Sequence, residues 1–363
     1  MQVREPQIPS VMRAVVLHGH GDFDQLEYRQ DVKVPSPASG EVLIRIGAAG
    51  VNNTDINTRV GWYSKAIVDG TASASFHAGP NAADSSWTRT ALTFPRIQGA
   101  DACGHIVAVG ASVDAARIGE RVIVDPLLRS IPAGRGSTGY FGSERDGAFA
   151  DFATVPAVNA CKITSQFTDV ELASFPCSYA AAENMLALAR VDAGETVLVT
   201  GASGGVGSAA VQLAKRRGAH IIALASTAKG AVIRSLGAGR VLDREADLTA
   251  ELGVESVDVA LDVVGGRHFP QLIEVLRRSG RCAIAGAIAG PIVELDLRSL
   301  YLKDLRLLGC TIFGPEIFRN LIGYIEREEI RPIVSATYPM NAIVAAQSDF
   351  LTKARAGKIV LTP

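Results

Sequence analysis

Between Met12 and about Val158, apolar residues recur in short alternating runs punctuated by glycine and proline. The clearest runs are residues 13–17, 41–49, 104–110, 121–124 and 150–154. A period of two bounded by turn formers predicts strands with one buried face, and their spacing predicts a partly open antiparallel β domain. The pattern lapses over residues 64–93, which are rich in alanine, serine, glycine, asparagine and aspartate. Such length without a period is typical of a functional or mobile loop.

After Glu171 the texture changes. Helical periodicity through 179–188 leads to the apolar run 196–200, and apolar runs then alternate with amphipathic ones. The runs 221–225, 240–242, 257–262, 281–285 and 305–312 predict further strands, and 205–217, 229–236 and 268–278 predict helices between them. That order predicts a parallel sheet covered by helices. A helix over 315–327 then leads out, and a last helix over 341–354 and a strand over 358–361 are expected to rejoin the first domain.

Where the run Thr196 to Thr200 ends, the chain reads Gly201-Ala202-Ser203-Gly204-Gly205-Val206-Gly207, and Val206, Ala210, Leu213 and Ala214 then mark one helix face. Strand, glycine turn and helix in this order suit a dinucleotide. Gly204 lets the backbone approach a pyrophosphate, Gly207 lets the helix pack close to the strand, and free amides at the helix start attract the negative charge. An acid at the end of the next strand would accept a ribose 2′-hydroxyl. None occurs between Glu195 and Asp243, and residues 221–225 run instead into Ser226, Thr227, Ala228 and Lys229. Alone, Lys229 reads as a solvated surface lysine. With the acid missing, Ser226, Thr227 and Lys229 predict a 2′-phosphate site, hence NADPH.

Composition narrows the partners. Lysine plus arginine number 36 against 37 acids, so there is no net field to draw nucleic acid or an anionic membrane. The first eleven residues hold no continuous apolar stretch, and the run 282–293 is short and broken by Gly286, Gly290 and Pro291, so a soluble protein is expected. Five scattered cysteines, never spaced Cys-x-x-Cys, argue against a disulfide framework or zinc ribbon and fit a reducing cytoplasm.

Several motifs resemble the medium-chain dehydrogenase/reductase superfamily on its quinone oxidoreductase branch. They are Gly50-Val51-Asn52-Asn53-Thr54-Asp55, Gly99-Ala100-Asp101-Ala102-Cys103-Gly104 with Gly110, Gly119-Glu120-Arg121-Val122 and Gly147-Ala148-Phe149-Ala150-Asp151. Ala202 to Gly207, Asp262-Val263-Val264-Gly265-Gly266 and Gly357-Lys358-Ile359-Val360 continue the match. The resemblance implies an α/β protein with a GroES-like, partly open β-barrel catalytic domain (residues 1–161 and 315–363) and a Rossmann doubly wound parallel-sheet cofactor domain (162–314). It adds Val263 and Gly286 to the cofactor-binding residues Ala202, Ser203, Gly204, Gly205, Val206, Gly207, Ser226, Thr227 and Lys229.

Zinc-dependent relatives carry a cysteine where this chain has Asn52, a histidine where it has Ala100, and a cysteine near Cys177. One remaining cysteine cannot supply the three donors that catalytic zinc needs, so no metal is expected. The residues 125–147 also lack the four cysteines of those relatives' structural zinc. Asp101, Cys103 and His105 alternate along one strand, but Asp101 is expected to accept backbone hydrogen bonds while the other two pack in the β domain.

By the same resemblance, Asn52 lies beside the nicotinamide, and Tyr63, in Gly61-Trp62-Tyr63, donates to a substrate carbonyl. Each has a plainer alternative: Asn52 as a turn cap, Tyr63 as a loop-edge aromatic. The long segment 64–93 is expected to cover the cleft, with Trp62 and Trp87 as walls. The implied activity is reduction of a quinone or α,β-unsaturated carbonyl compound by a homodimer paired near 283–288 and 306–313. A zinc-dependent alcohol dehydrogenase, and a non-catalytic NADPH-binding protein, remain as alternatives.

Overall fold

In the computed structural model, residues 8–71, 83–88, 90–133 and 137–363 are described; the rest of the 64–93 segment, including His77, lies outside them. The parallel sheet runs in the order Arg240–Leu242, His220–Leu224, Thr196–Val199, Val257–Asp262, Leu276–Ile284, Arg306–Gly309. Its central strands are buried on both faces, with Val197, Leu198, Val259 and Ala260 fully enclosed, as a sheet sandwiched by helices requires. Helix Gly205–Arg216 lies against it through Ala209, Ala210, Leu213 and Ala214. Small side chains there allow the close approach.

The catalytic half is built around strand Glu41–Gly50. That strand pairs antiparallel with Cys103–Val109, Phe152–Pro156 and Lys358–Thr362, so the last strand of the chain sits in the barrel beside one of the first. Val334–Pro339 extends this sheet in parallel beside Lys358–Thr362. A separate three-stranded sheet joins Leu26–Lys33, Val11–Leu17 and Arg96–Ile97. Helix Pro315–Glu326, read from sequence as part of the catalytic half, packs on Pro176–Leu188 and buries Phe318, Leu321 and Ile325.

Three local expectations are corrected. The helix read over 268–278 stops at Val275, and the chain enters strand Leu276–Ile284 at once. The buried ammonium of Lys303 explains the stop: it donates to the carbonyls of Ile273, Glu274 and Leu276 and caps a helix end from 27 to 30 residues away, three positions before Ser279 at φ +61°. The strand read over 305–312 is only Arg306–Gly309. His105 is exposed, whereas Cys103 is buried as expected. Residues 125–147, featureless in sequence, contain a hairpin of Leu127–Ala133 and Ser137–Tyr140.

Candidate active site and nucleotide site

The carboxyl ends of Thr196–Val199, His220–Leu224, Val257–Asp262 and Leu276–Ile284 are adjacent, and the glycine turn, Lys229, Val263 and Gly286 all emerge there. Each glycine in the turn has its own reason. A Cβ on Gly207 would lie 2.3 Å from the Gly201 carbonyl oxygen and 2.7 Å from Ala202 Cα, and one on Gly205 would lie 2.5 Å from Ser178 Oγ. A Cβ on Gly204 would meet nothing nearer than the Gly201 oxygen at 3.5 Å, so that position faces open space. The amides of Gly205, Val206 and Gly207 have no acceptor within the described residues. This arrangement fits a pyrophosphate. A Cβ on Gly286 would stand 3.1 Å from the Val263 oxygen, so these two residues line the turn's far side together.

Beyond the turn, Lys229 Nζ donates to Ser203 Oγ (3.4 Å) and to the backbone oxygen of Lys353. Lys353 comes from the catalytic half, and its ammonium donates to Asn53 Oδ1 (3.2 Å) and lies 3.8 Å from the centre of the Phe350 ring. Neither ammonium has a carboxylate partner among the described residues. Burial, and then repulsion from Lys229, push Lys353 down to about 8; burial, and then Arg244, lower Lys229. Arg244 sits close enough to repel Lys229 and is itself paired with the exposed Glu245 at 3.7 Å. Sequence reasoning missed Lys353 and Arg244 because each arrives from a separate segment. Thr227 is turned aside: its hydroxyl donates to Asp243 Oδ2 at 3.0 Å.

The floor of the cleft holds a buried ion pair. Asp101, fully buried, accepts from Lys358 Nζ (2.8 Å), Asn52 Nδ2 (2.8 Å) and the Cys177 amide (2.6 Å). Lys358, 4% exposed, also donates to the Val51 oxygen at 3.0 Å and to Asn52 Oδ1. A strand-end glycine makes room, since a Cβ on Gly50 would lie 2.6 Å from Asp101 Oδ2. Asp101 thus does accept a backbone amide, but its larger partners are Lys358 and Asn52. The two protons of Asn52 Nδ2 go to Asp101 and, at 3.3 Å, to the Gly50 oxygen, so its amide is held rigidly and has no donor to spare. Its backbone amide caps helix Asn53–Val60 with Asp55 Oδ2, 2.7 Å away. Burial raises Asp55 to about 7.

Above this floor stand the hydroxyls. Tyr63 OH and Thr54 Oγ1 are 3.0 Å apart, and burial raises Tyr63 to about 12. Tyr140 OH donates to Cys177 Sγ at 3.2 Å. Trp87 stacks on Tyr140 with ring centres 4.8 Å apart, which places this part of the 64–93 segment against the site. Trp62 meets Tyr63 edge to face at 5.9 Å. Tyr140 and Lys358 were not read as functional from sequence. Lys358 had one visible signal, a charge at the head of the apolar run Ile359-Val360-Leu361.

A barrel half joined to a parallel sheet, with unengaged amides at the glycine turn and buried phenols beside the Lys358–Asp101–Asn52 cluster, has the layout of a nucleotide-dependent oxidoreductase. Comparison with known proteins agrees. Residues 38–165 match the alcohol dehydrogenase GroES-like domain, and residues 205–327 match the zinc-binding dehydrogenase family. A protein of known structure from Sinorhizobium meliloti 1021, described provisionally as an alcohol dehydrogenase, is 46% identical, with a TM-score of 0.87 and 98% of each chain covered. Acryloyl-coenzyme A reductase of Metallosphaera sedula is 28% identical across 97% of this chain and 100% of its own. Quinone oxidoreductase of Lama guanicoe is also 28% identical, over 97% of each chain. The chain belongs to the medium-chain dehydrogenase/reductase superfamily, is quinone oxidoreductase-like, and is a nicotinamide-dependent oxidoreductase.

Proposed function

We propose that the protein is a metal-independent, NADPH-dependent reductase of quinones or α,β-unsaturated carbonyl compounds. The observation that carries this reading is the Lys358–Asp101–Asn52 cluster. Asn52 and Ala100 stand where zinc-dependent relatives have ligands, and the charge that balances Asp101 is an ammonium whose donors are all engaged. Among the described residues no three His, Cys, Asp or Glu side chains gather as a metal-binding set. The acryloyl-coenzyme A reductase and quinone oxidoreductase relatives carry names that fit reduction of an activated double bond.

NADPH, when bound, supplies hydride from its nicotinamide. The protein's own work is then placement and electrostatics. The amides of Gly205, Val206 and Gly207 would hold the pyrophosphate, with Ala202, Ser203, Val263 and Gly286 lining the bound dinucleotide. Lys229, Lys353 and Arg244 would hold the 2′-phosphate, with Ser226 beside them. Asn52, locked by Lys358 and Asp101, would form a rigid wall next to the nicotinamide. Tyr63, a phenol kept neutral by burial, would donate towards the substrate's carbonyl oxygen. The test is turnover of NADPH with a panel of quinones, enones and short alkanals, with products identified. Saturation of the enone double bond, or reduction of the quinone, undiminished after dialysis against a chelator, is expected. No cofactor oxidation with any member, or loss of activity to the chelator, contradicts the reading.

The cation site sets a pH dependence. Lys353 starts from about 8 in the free protein, and a bound phosphate dianion favours its protonated form, so its pKa rises on binding. Affinity for NADPH is therefore fullest near about pH 7 and falls by up to about tenfold towards about pH 9, while NADH, lacking the phosphate, changes little. A flat NADPH profile across that window would remove Lys353 from the site.

No helix among the described residues is long and apolar enough to cross a membrane. The proposal places the enzyme in the cytoplasm, where its five unpaired cysteines remain reduced. It also pairs two copies along strand Arg306–Gly309, which borders the parallel sheet with no outer strand among the described residues. Leu297, Tyr301, Leu302 and Ile312 are all at least half exposed near it, an apolar margin that a second copy would cover.

A further inference from the structure

The hairpin Leu127–Ala133/Ser137–Tyr140 ends with its last side chain in the catalytic floor. Tyr140 is 7% exposed, and its hydroxyl, the group that needs a partner most, is spent on the thiol of Cys177. A thiol sulfur is a weak acceptor, so this contact is easily exchanged for a stronger one. The Cys177 backbone amide is fixed to Asp101, and the Asp101 side chain is fixed to Asn52 and Lys358; the Tyr140 hydroxyl is therefore tied through Cys177 to the Lys358–Asp101–Asn52 cluster. Burial raises the phenol well above its ordinary range, and next the Cys177 thiol raises it further, so it stays protonated and keeps a proton to donate. Cys177 itself is raised to about 12 by burial and remains a neutral thiol.

The position of this phenol is reinforced from two sides. Glu144 accepts from the Tyr140 amide (3.0 Å) and from the amide and hydroxyl of Thr88 (3.1 and 2.8 Å), clamping the hairpin end to the segment that carries Trp87. Trp87 then stacks on the ring at an interplanar angle of 30°. The preceding segment is tied down through Ser85 Oγ, 2.7 Å from His20 Nε2.

We infer that Tyr140 is a second catalytic hydrogen-bond donor, beside Tyr63, to the carbonyl oxygen of the substrate, with Trp87 as the wall that sets how wide that substrate can be. The inference rests on the reductase reading above. In an enone, hydride forms a new C–H bond at the β-carbon, the C=C π bond breaks, and its electron pair moves to the carbonyl oxygen as an enolate. Tyr140 trades the thiol for this oxyanion and keeps its own proton; a proton from water then adds at the α-carbon, leaving the saturated ketone, one oxidised NADP and hydroxide. A fixed donor aimed at charge that develops during the reaction lowers the barrier more than it tightens substrate binding.

The test compares wild-type protein, Tyr140→Phe and Trp87→Leu with NADPH and a short enone, measuring kcat, KM, NADPH Kd and thermal midpoint. Tyr140→Phe is expected to lower kcat by about 10²-fold, with KM and NADPH Kd within about twofold of wild type. Trp87→Leu keeps the hydroxyl, so it is expected to raise KM and to widen the range of accepted enones, with a far smaller drop in kcat. Equal kcat in Tyr140→Phe and wild type overturns the inference alone, and so does a Trp87→Leu loss of kcat as large as that of Tyr140→Phe, which would make packing the reason. An inactive wild-type protein overturns the reductase reading and the inference with it.

Discussion

Replacing Lys358 with methionine is expected to destabilise the fold by about 3–5 kcal/mol, read as a lowered midpoint in urea with an unchanged slope. Methionine fills a similar volume, so the loss comes from charge rather than from a cavity. Asp101 is fully buried, and its Oδ2 would keep only the Asn52 amide, leaving a carboxylate without its cation in a water-free site. The Val51 carbonyl and Asn52 Oδ1 lose their donor at the same time. Adding Asp101→Asn should recover part of the loss, since the orphaned charge is then gone, and the two changes together should cost less than their sum. A cost below about 1 kcal/mol for the single change would mean that water reaches the pair, and that the cluster is not the closed electrostatic unit described above.

The second large effect separates the two glycines Gly204 and Gly207, one expected to admit phosphate and the other to admit the strand. Gly207→Ala gains helix propensity of up to about 1 kcal/mol, which on its own predicts a more stable protein. The structure predicts the opposite sign, because the new methyl would stand 2.3 Å from the Gly201 oxygen and 2.7 Å from Ala202 Cα, both backbone atoms that cannot swing aside. Opening the turn should cost about 1–3 kcal/mol net and, by misplacing the amides by a fraction of an ångström, lower dinucleotide affinity by about 10²-fold. Gly204→Ala meets only open space, so stability should hold while affinity falls, the methyl now occupying the approach to the phosphates. Differential calorimetry and cofactor titration on the two variants give both readouts. Equal stability in the pair would contradict the packing role assigned to Gly207.

Local chemistry was legible in the chain, and remote chemistry was not. The turn Gly201 to Gly207 could be read because strand, turn and helix follow one another within a few residues, so the pattern carries its own geometry. The parallel sheet was legible for the same reason where a strand is a short apolar run, as in Thr196–Val199 and His220–Leu224. Lys358 was not legible as a partner of Asp101, since 257 residues separate them and only the closure of the barrel by the last strand brings them together. The end of helix Phe269–Val275 was hidden because its cap, Lys303, is a tertiary contact. Ser226, Thr227 and Lys229 were expected together as phosphate ligands, and the turning of Thr227 towards Asp243 depends on how two parallel strands pair. Asn52 was expected beside the nicotinamide; that its amide is wholly engaged by neighbours could be known only once they were in place.

The central claim is that the turn Gly201 to Gly207 holds a nicotinamide dinucleotide and that Lys229, Lys353 and Arg244 grip its 2′-phosphate. Calorimetric titration of the purified protein with NADPH and with NADH tests it most directly. The account predicts that both bind, that NADPH binds at least about tenfold more tightly near about pH 7, and that this advantage shrinks towards about pH 9. Tighter binding of NADH, or no heat from either nucleotide, would contradict it.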